Sequence, residues 1–146
     1  MKIIVKENIQ DGYTYYLNPS AKENFDLIKK ERKKEYHGSL GKYQFFSDDR
    51  TELVEIAKKV LLGFHLFNAK ISKAKRETTN GFGYGLFLYD YKPRYKYEMK
   101  EYADEINVKY RYWKSDSDTL KGSYSEQFLR TLPPEEREEW TRNKIK

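Results

Sequence analysis

Gly41 to Ser72, GKYQFFSDDRTELVEIAKKVLLGFHLFNAKIS, is the stretch whose reading decides the fold. Lys42 to Ser47 has the aromatic content of a strand, and Asp48 or Asp49 can cap the helix that follows. Leu53, Ile56, Ala57, Val60 and Leu61 recur at helical spacing until Gly63 ends the element. Phe64 to Ser72 reads as the next strand. Downstream, a polar and basic loop (Lys73, Lys75, Arg76, Thr78, Asn80, Gly81) leads to a strand over Tyr84 to Tyr91. Pro93 sits where a first helical turn tolerates it, and Tyr95, Met99, Tyr102, Ala103 and Ile106 mark a second amphipathic helix. Val108 to Lys114 is the strand that closes the pattern.

The order between residues 41 and 114 is therefore β-α-β-β-α-β. This split unit predicts an α+β fold, a curved antiparallel sheet with helices packed on one face and the other face available to a ligand. Upstream, residues 1–38 read as a hairpin (Ile3 to Lys6, Tyr13 to Leu17, turning at Asp11-Gly12) and a helix over Ala21 to Tyr36. Residues 125–146 read as a helical tail with Trp140 as a docking anchor. A length of 146 residues suits one domain spanning 1–146.

The composition excludes several classes. The chain is 36% charged with a mean hydropathy of −1.01, but fourteen Tyr, eight Phe and two Trp supply burial that disordered chains lack. No cysteine is present, which removes disulfides, thiol nucleophiles and Cys-ligated zinc. The first residues are charged too soon for a signal peptide, and no apolar run approaches the ~20 residues of a membrane span. A cytoplasmic protein without membrane contact is expected. Asp116-Ser117-Asp118 begins like a calcium loop but lacks its glycine and closing glutamate, so no metal is expected. GxxxxGK[ST], GxSxG and HExxH are absent, and no cofactor is implied. The net charge of +6 favours phosphorylated or acidic partners.

Alternation assigns side chains to faces. Phe67, Ala69 and Ile71 should meet the helices, with Leu66, Asn68, Lys70 and Ser72 opposite. Val108, Tyr110 and Tyr112 should be core, with Lys109, Arg111 and Trp113 opposite. Lys70, Arg111 and Trp113 would then share the open face as two cations and a stacking surface; if other segments cover that face, Trp113 is core instead. Asn80-Gly81-Phe82-Gly83-Tyr84-Gly85-Leu86-Phe87 resembles the first signature of RNA recognition motifs, which would expose Phe82 and Tyr84 as an aromatic platform. It departs at Asn80 and Gly85, and a glycine-rich hairpin explains the same residues without a ligand.

Four short motifs in order also resemble the Bles family of uncharacterised proteins, whose fold is like that of the cap-binding translation initiation factor. They are Gly41-Lys42-Tyr43, Ala69-Lys70-Ile71-Ser72, Tyr89-Asp90-Tyr91, and Trp113-Lys114-Ser115-Asp116 followed by Thr119, Gly122 and Tyr124. The resemblance implies a larger curved antiparallel sheet with helices on its convex side, transfers most directly to Lys114 and Asp116, and points to a phosphorylated, nucleotide-like ligand. Some relatives carry the provisional name phosphothreonine lyase.

Three functions compete. In a module binding a nucleotide or single-stranded RNA, Trp113 stacks on a base and Lys70, Arg111 and Lys114 hold phosphates. Asp116 and Thr119 complete that site, and Lys42, Lys73, Lys75 and Arg76 form a basic rim. In a lyase acting by β-elimination, Lys70 or Lys114 is the base, Arg111 the clamp and His65 the acid. His65 alternates with Phe67 and Ala69, however, which predicts a core position, and His37 reads as a surface or helix-capping residue. The third function is a viral or regulatory module whose Tyr-rich surface meets a protein partner.

Overall fold

The computed structural model of the chain describes residues 2–8, 12–78 and 81–116. Strands β1 (Ile4–Asn8) and β2 (Tyr13–Leu17) precede helix α1 (Lys22–Arg32). Then come β3 (Gly41–Ser47), α2 (Arg50–Gly63), β4 (Asn68–Ser72), β5 (Arg76–Thr78), β6 (Gly81–Asp90), α3 (Lys96–Ile106) and β7 (Lys109–Ser115). The seven strands of the described residues join one open, curved antiparallel sheet in the order β1-β2-β4-β6-β3-β7, with β5 paired to the first part of β6. The split unit occupies β4-β6-β3-β7, and the N-terminal hairpin extends it at β4.

The expected fold class is the observed one, and the differences lie at element boundaries. Asp49 caps α2, its side chain accepting hydrogen bonds from the amides of Thr51 (3.0 Å) and Glu52 (3.4 Å). Helix α1 stops at Arg32 instead of Tyr36, because the backbone turns extended at Lys34 (ψ 161°), before Tyr36, His37 and Gly38 adopt positive φ. β4 begins at Asn68, four residues later than expected. β5 lies inside the stretch read as a loop. The C-terminal segment 125–146, with Trp140, lies outside the described residues.

The core lies between the sheet and the three helices. Tyr43 and Phe45 of β3, Ala69 and Ile71 of β4, and Leu86 and Leu88 of β6 face Leu53, Ile56, Val60 and Leu61 of α2 and Met99 and Ala103 of α3. Fully burying a Leu or Ile side chain contributes about 1.5–3 kcal/mol. A polar knot centred on Asp90 closes one end of this layer. Its fully buried carboxylate accepts hydrogen bonds from Asn24 Nδ2 (3.0 Å), Tyr43 Oη (2.8 Å) and both Nε and Nη2 of Arg94 (3.2 and 3.1 Å). It thereby joins α1, β3, β6 and the approach to α3. Burial, followed by the nearby Asp90 charge, pushes the Tyr43 phenol well above its ordinary pKa.

β7 carries a bulge. Against β3, Lys42 pairs with Lys114 while Gln44 pairs with Arg111, so β7 advances three residues where β3 advances two. Alternation inverts across such an insertion. Arg111 and Lys114 consequently share a face although they are three residues apart.

Candidate functional site

With the helices accounted for, register fixes what stands on the opposite face. One transverse row crosses the sheet, each residue the register partner of the next: Lys6 (β1), Tyr15 (β2), Lys70 (β4), Phe87 (β6), Gln44 (β3) and Arg111 (β7). Cations and rings alternate across the first four positions. The adjacent row brings Tyr89, Lys42 and Lys114 together. Neighbouring strands are about 4.8 Å apart, so the first row spans roughly 24 Å.

Lys70 is the centre of this face. Its Nζ lies 4.2 Å from the centroid of the Tyr13 ring, 5.9 Å from that of Phe87 and 5.8 Å from that of Tyr89. Lys42 approaches two of the same rings, at 5.6 Å from Phe87 and 5.9 Å from Tyr89. All these distances fall within cation–π range. Arg76 joins from β5, with its guanidinium 4.7 Å from the Tyr13 ring and Nη1 donating to Tyr13 Oη at 2.9 Å. Lys42, Lys70, Arg111, Lys114 and the rings of Tyr13, Tyr15, Phe87 and Tyr89 are all half-buried. Burial lowers the pKa of the Lys42 ammonium, opposed by the charge of Asp116. Burial also raises that of the Tyr89 phenol, with Asp116 adding to the effect.

One end of the face carries an imidazole and a carboxylate. The Asp116 amide donates to Leu40 O at 2.8 Å, and its Oδ2 stands 3.5 Å from His37 Nδ1. His37 is held there by a clasp: Glu31 accepts from Lys34 Nζ (2.7 Å), the Ser39 amide (2.8 Å) and Ser39 Oγ (3.0 Å) across the left-handed turn. Gly38, with φ +56° and ψ −122°, occupies a conformation that only glycine adopts readily. A Cβ there would run into the Glu31 carboxylate.

Three expectations are corrected. Trp113 does not stand with Lys70 and Arg111. The bulge turns its ring to the helix-bearing face, where it packs edge-on against the buried Tyr43, centroid to centroid 5.0 Å, and lies over the backbone of Gly41. Tyr84 is not an exposed platform either, because it alternates with Leu86 and Leu88 and packs against the core. The described aromatics that β6 gives the open face are Phe87 and Tyr89. His65 is neither core nor in a strand; it is exposed in the turn after α2 with φ +55°, since β4 starts beyond it.

Of the expected rim, Lys42 stands within the face and Arg76 reaches it through Tyr13. Lys73 pairs with Glu7 at 3.4 Å, and Lys75 lies 6.0 Å from the Tyr84 ring. Thr119 and the side chain of Phe82 lie outside the described residues. The sequence reading missed Tyr13, Tyr15, Phe87, Tyr89 and the pairing of His37 with Asp116. Phe87 and Tyr89 were legible from their alternation with Leu86 and Leu88. Tyr13 and Tyr15 needed knowledge that β2 pairs with β4, and the His37 contact depends on a turn with no helical or strand period.

Compared with family models, with curated proteins and with solved structures, the chain matches none. No helix among the described residues is long and apolar enough to cross a membrane.

Proposed function

We propose that this protein binds a phosphorylated ligand, a nucleotide or single-stranded RNA, on the helix-free face of its sheet. The observation that carries this reading is the transverse row in which Lys6, Tyr15, Lys70 and Phe87 alternate charge and ring, with Lys42 and Tyr89 beside them. A base stacked on an aromatic side chain contributes roughly 1–3 kcal/mol, and cations on either side meet the phosphates that flank it. Tyr13, Phe87 and Tyr89 take the stacking role first given to Trp113. Lys70, Lys42, Arg111 and Lys114 take the phosphate role.

Fluorescence anisotropy of a labelled single-stranded RNA, with AMP as competitor, tests this. Log affinity should fall with log salt at a slope of about −0.7 for each phosphate contacted. Lys70→Glu should abolish binding, and Lys59→Glu, on the exposed side of α2, should leave it unchanged. Affinity that ignores both salt and Lys70→Glu would overturn the reading. A lyase reading has less support, because its expected acid, His65, belongs to the turn after α2 and not to the strand that carries Lys70.

A further inference from the structure

The contacts of Lys42 join the two rows of the open face into one line. The straight row is interrupted at β3, where Gln44 is only 5% exposed. Lys42, two residues earlier on the same face of β3, stands beside that interruption, its Nζ 5.6 Å from the Phe87 ring and 5.9 Å from the Tyr89 ring. Its register partner on β7 is Lys114. A line that turns from Phe87 to Lys42 therefore meets a cation on β1 (Lys6), a ring on β2 (Tyr15) and a cation on β4 (Lys70). It continues over the two rings of β6 to a cation on β3 and another on β7. Lys6 is exposed and the other members are half-buried. With neighbouring strands about 4.8 Å apart, the line covers roughly 24 Å, longer than one nucleotide.

We propose that the ligand of this face is a single-stranded nucleic acid of about four nucleotides or more, lying across the strands from β1 to β7, and not a mononucleotide. Lys6, Lys70, Lys42 and Lys114 each hold a phosphate. Tyr15 takes one base between Lys6 and Lys70, and the Phe87 and Tyr89 rings take another between Lys70 and Lys42. A free nucleotide brings one base and one group of phosphates, so it fills the centre of the line and leaves Lys6 and Tyr15 unused. A bare polyanion meets the cations and leaves the rings unused. A polymer that repeats charge and flat ring in alternation matches the whole line, and that is the chemistry of a single-stranded nucleic acid. Lys6 is the residue that distinguishes these ligands, because it stands three strand spacings, about 14 Å, from Phe87.

This path rests on the phosphate-binding reading above, and its test separates the two. Fluorescent oligoadenylates from dinucleotide to octanucleotide are bound to the intact chain at several salt concentrations and followed by anisotropy, with AMP and inorganic polyphosphate as competitors. Affinity should rise with length up to about the tetranucleotide and then flatten. For the octanucleotide, log affinity against log salt should slope at about −2.8, four contacts at about −0.7 each. Lys6→Gln, at an exposed position, should reduce that slope by about 0.7 and leave the affinity for AMP unchanged. Tyr15→Ala should weaken the octanucleotide about 5- to 150-fold and leave the affinity for polyphosphate unchanged, with circular dichroism checking that the variant is folded. If AMP binds as tightly as the octanucleotide, or Lys6→Gln leaves the octanucleotide untouched, the transverse path is overturned and the phosphate-binding reading stands. An octanucleotide indifferent to Tyr15→Ala would make the face a plain polyanion site and likewise overturn it. If neither AMP nor any oligonucleotide binds, both readings fall.

Discussion

A Cβ on Gly41 would stand 2.6 Å from the carbonyl oxygen of Lys114 and collide with the Trp113 ring. The neighbour on one side is backbone and on the other a packed indole, so neither can yield cheaply. Gly41→Ala should therefore cost roughly 1–3 kcal/mol, as overpacking in a closed core does, read as a lower urea midpoint at unchanged slope. Asp90 poses the opposite problem, because removing it empties a site that five donors converge on, the Tyr91 amide among them. Asp90→Ala strands the Arg94 guanidinium and the buried Tyr43 hydroxyl, and should destabilise by about 3–5 kcal/mol in the same measurement. On the open face the expectation is different in kind. Tyr89→Ala should weaken RNA binding by the roughly 1–3 kcal/mol of one stacked base, and stability should change less than it does for Asp90→Ala.

Helix α2 shows how directly a local signal can specify an element. Asp49 accepts from two amides of the first turn, and the apolar set Leu53, Ile56, Ala57, Val60 and Leu61 is the set the structure buries. Asp49→Ala should cost about 1 kcal/mol through the lost cap, measurable by thermal unfolding. The split unit was legible for the same reason, since each of its elements carries its own period or cap. Lys70 was placed on the correct face because β4 alternates without interruption from Asn68. Trp113 was misplaced because a bulge has no period to read: it arises from how β7 is matched to β3, and nothing within Val108 to Lys114 announces it. His65 failed similarly, as alternation was extended through a turn that is not yet strand. The ring set of the site was assembled by pairing β2 with β4 and β4 with β6, relationships held between segments and not within them.

At the scale of the molecule, the two faces of the sheet differ in what they hold. The helix layer holds the apolar core and the Asp90 knot, while the opposite layer concentrates half-buried cations against rings. The clasp on the left-handed turn links stability to pH. The hydrogen bond from Lys34, then that from the Ser39 amide, lowers the Glu31 carboxyl from 4.5 to about 2. Since the folded carboxyl binds its proton less readily than the unfolded one, its contribution is complete above pH 4.5 and is lost as pH falls towards about 2. Urea unfolding at pH 5 and pH 3 should show a smaller acid loss in Glu31→Gln than in the unaltered chain.

The bulge in β7 also divides that strand into two phases. Residues up to Arg111 are read in one, and residues from Lys114 onward in the other. A replacement changes one side chain and leaves the phase alone. Loss of a single residue at 112–113 removes the insertion and restores plain alternation, so Lys114 stays opposite Lys42 on the face of Arg111, and what is lost is the turn that carries Trp113 to Tyr43. The open-face row should thus survive the loss of one residue there, at the expense of the packing of Trp113 on Tyr43 and Gly41.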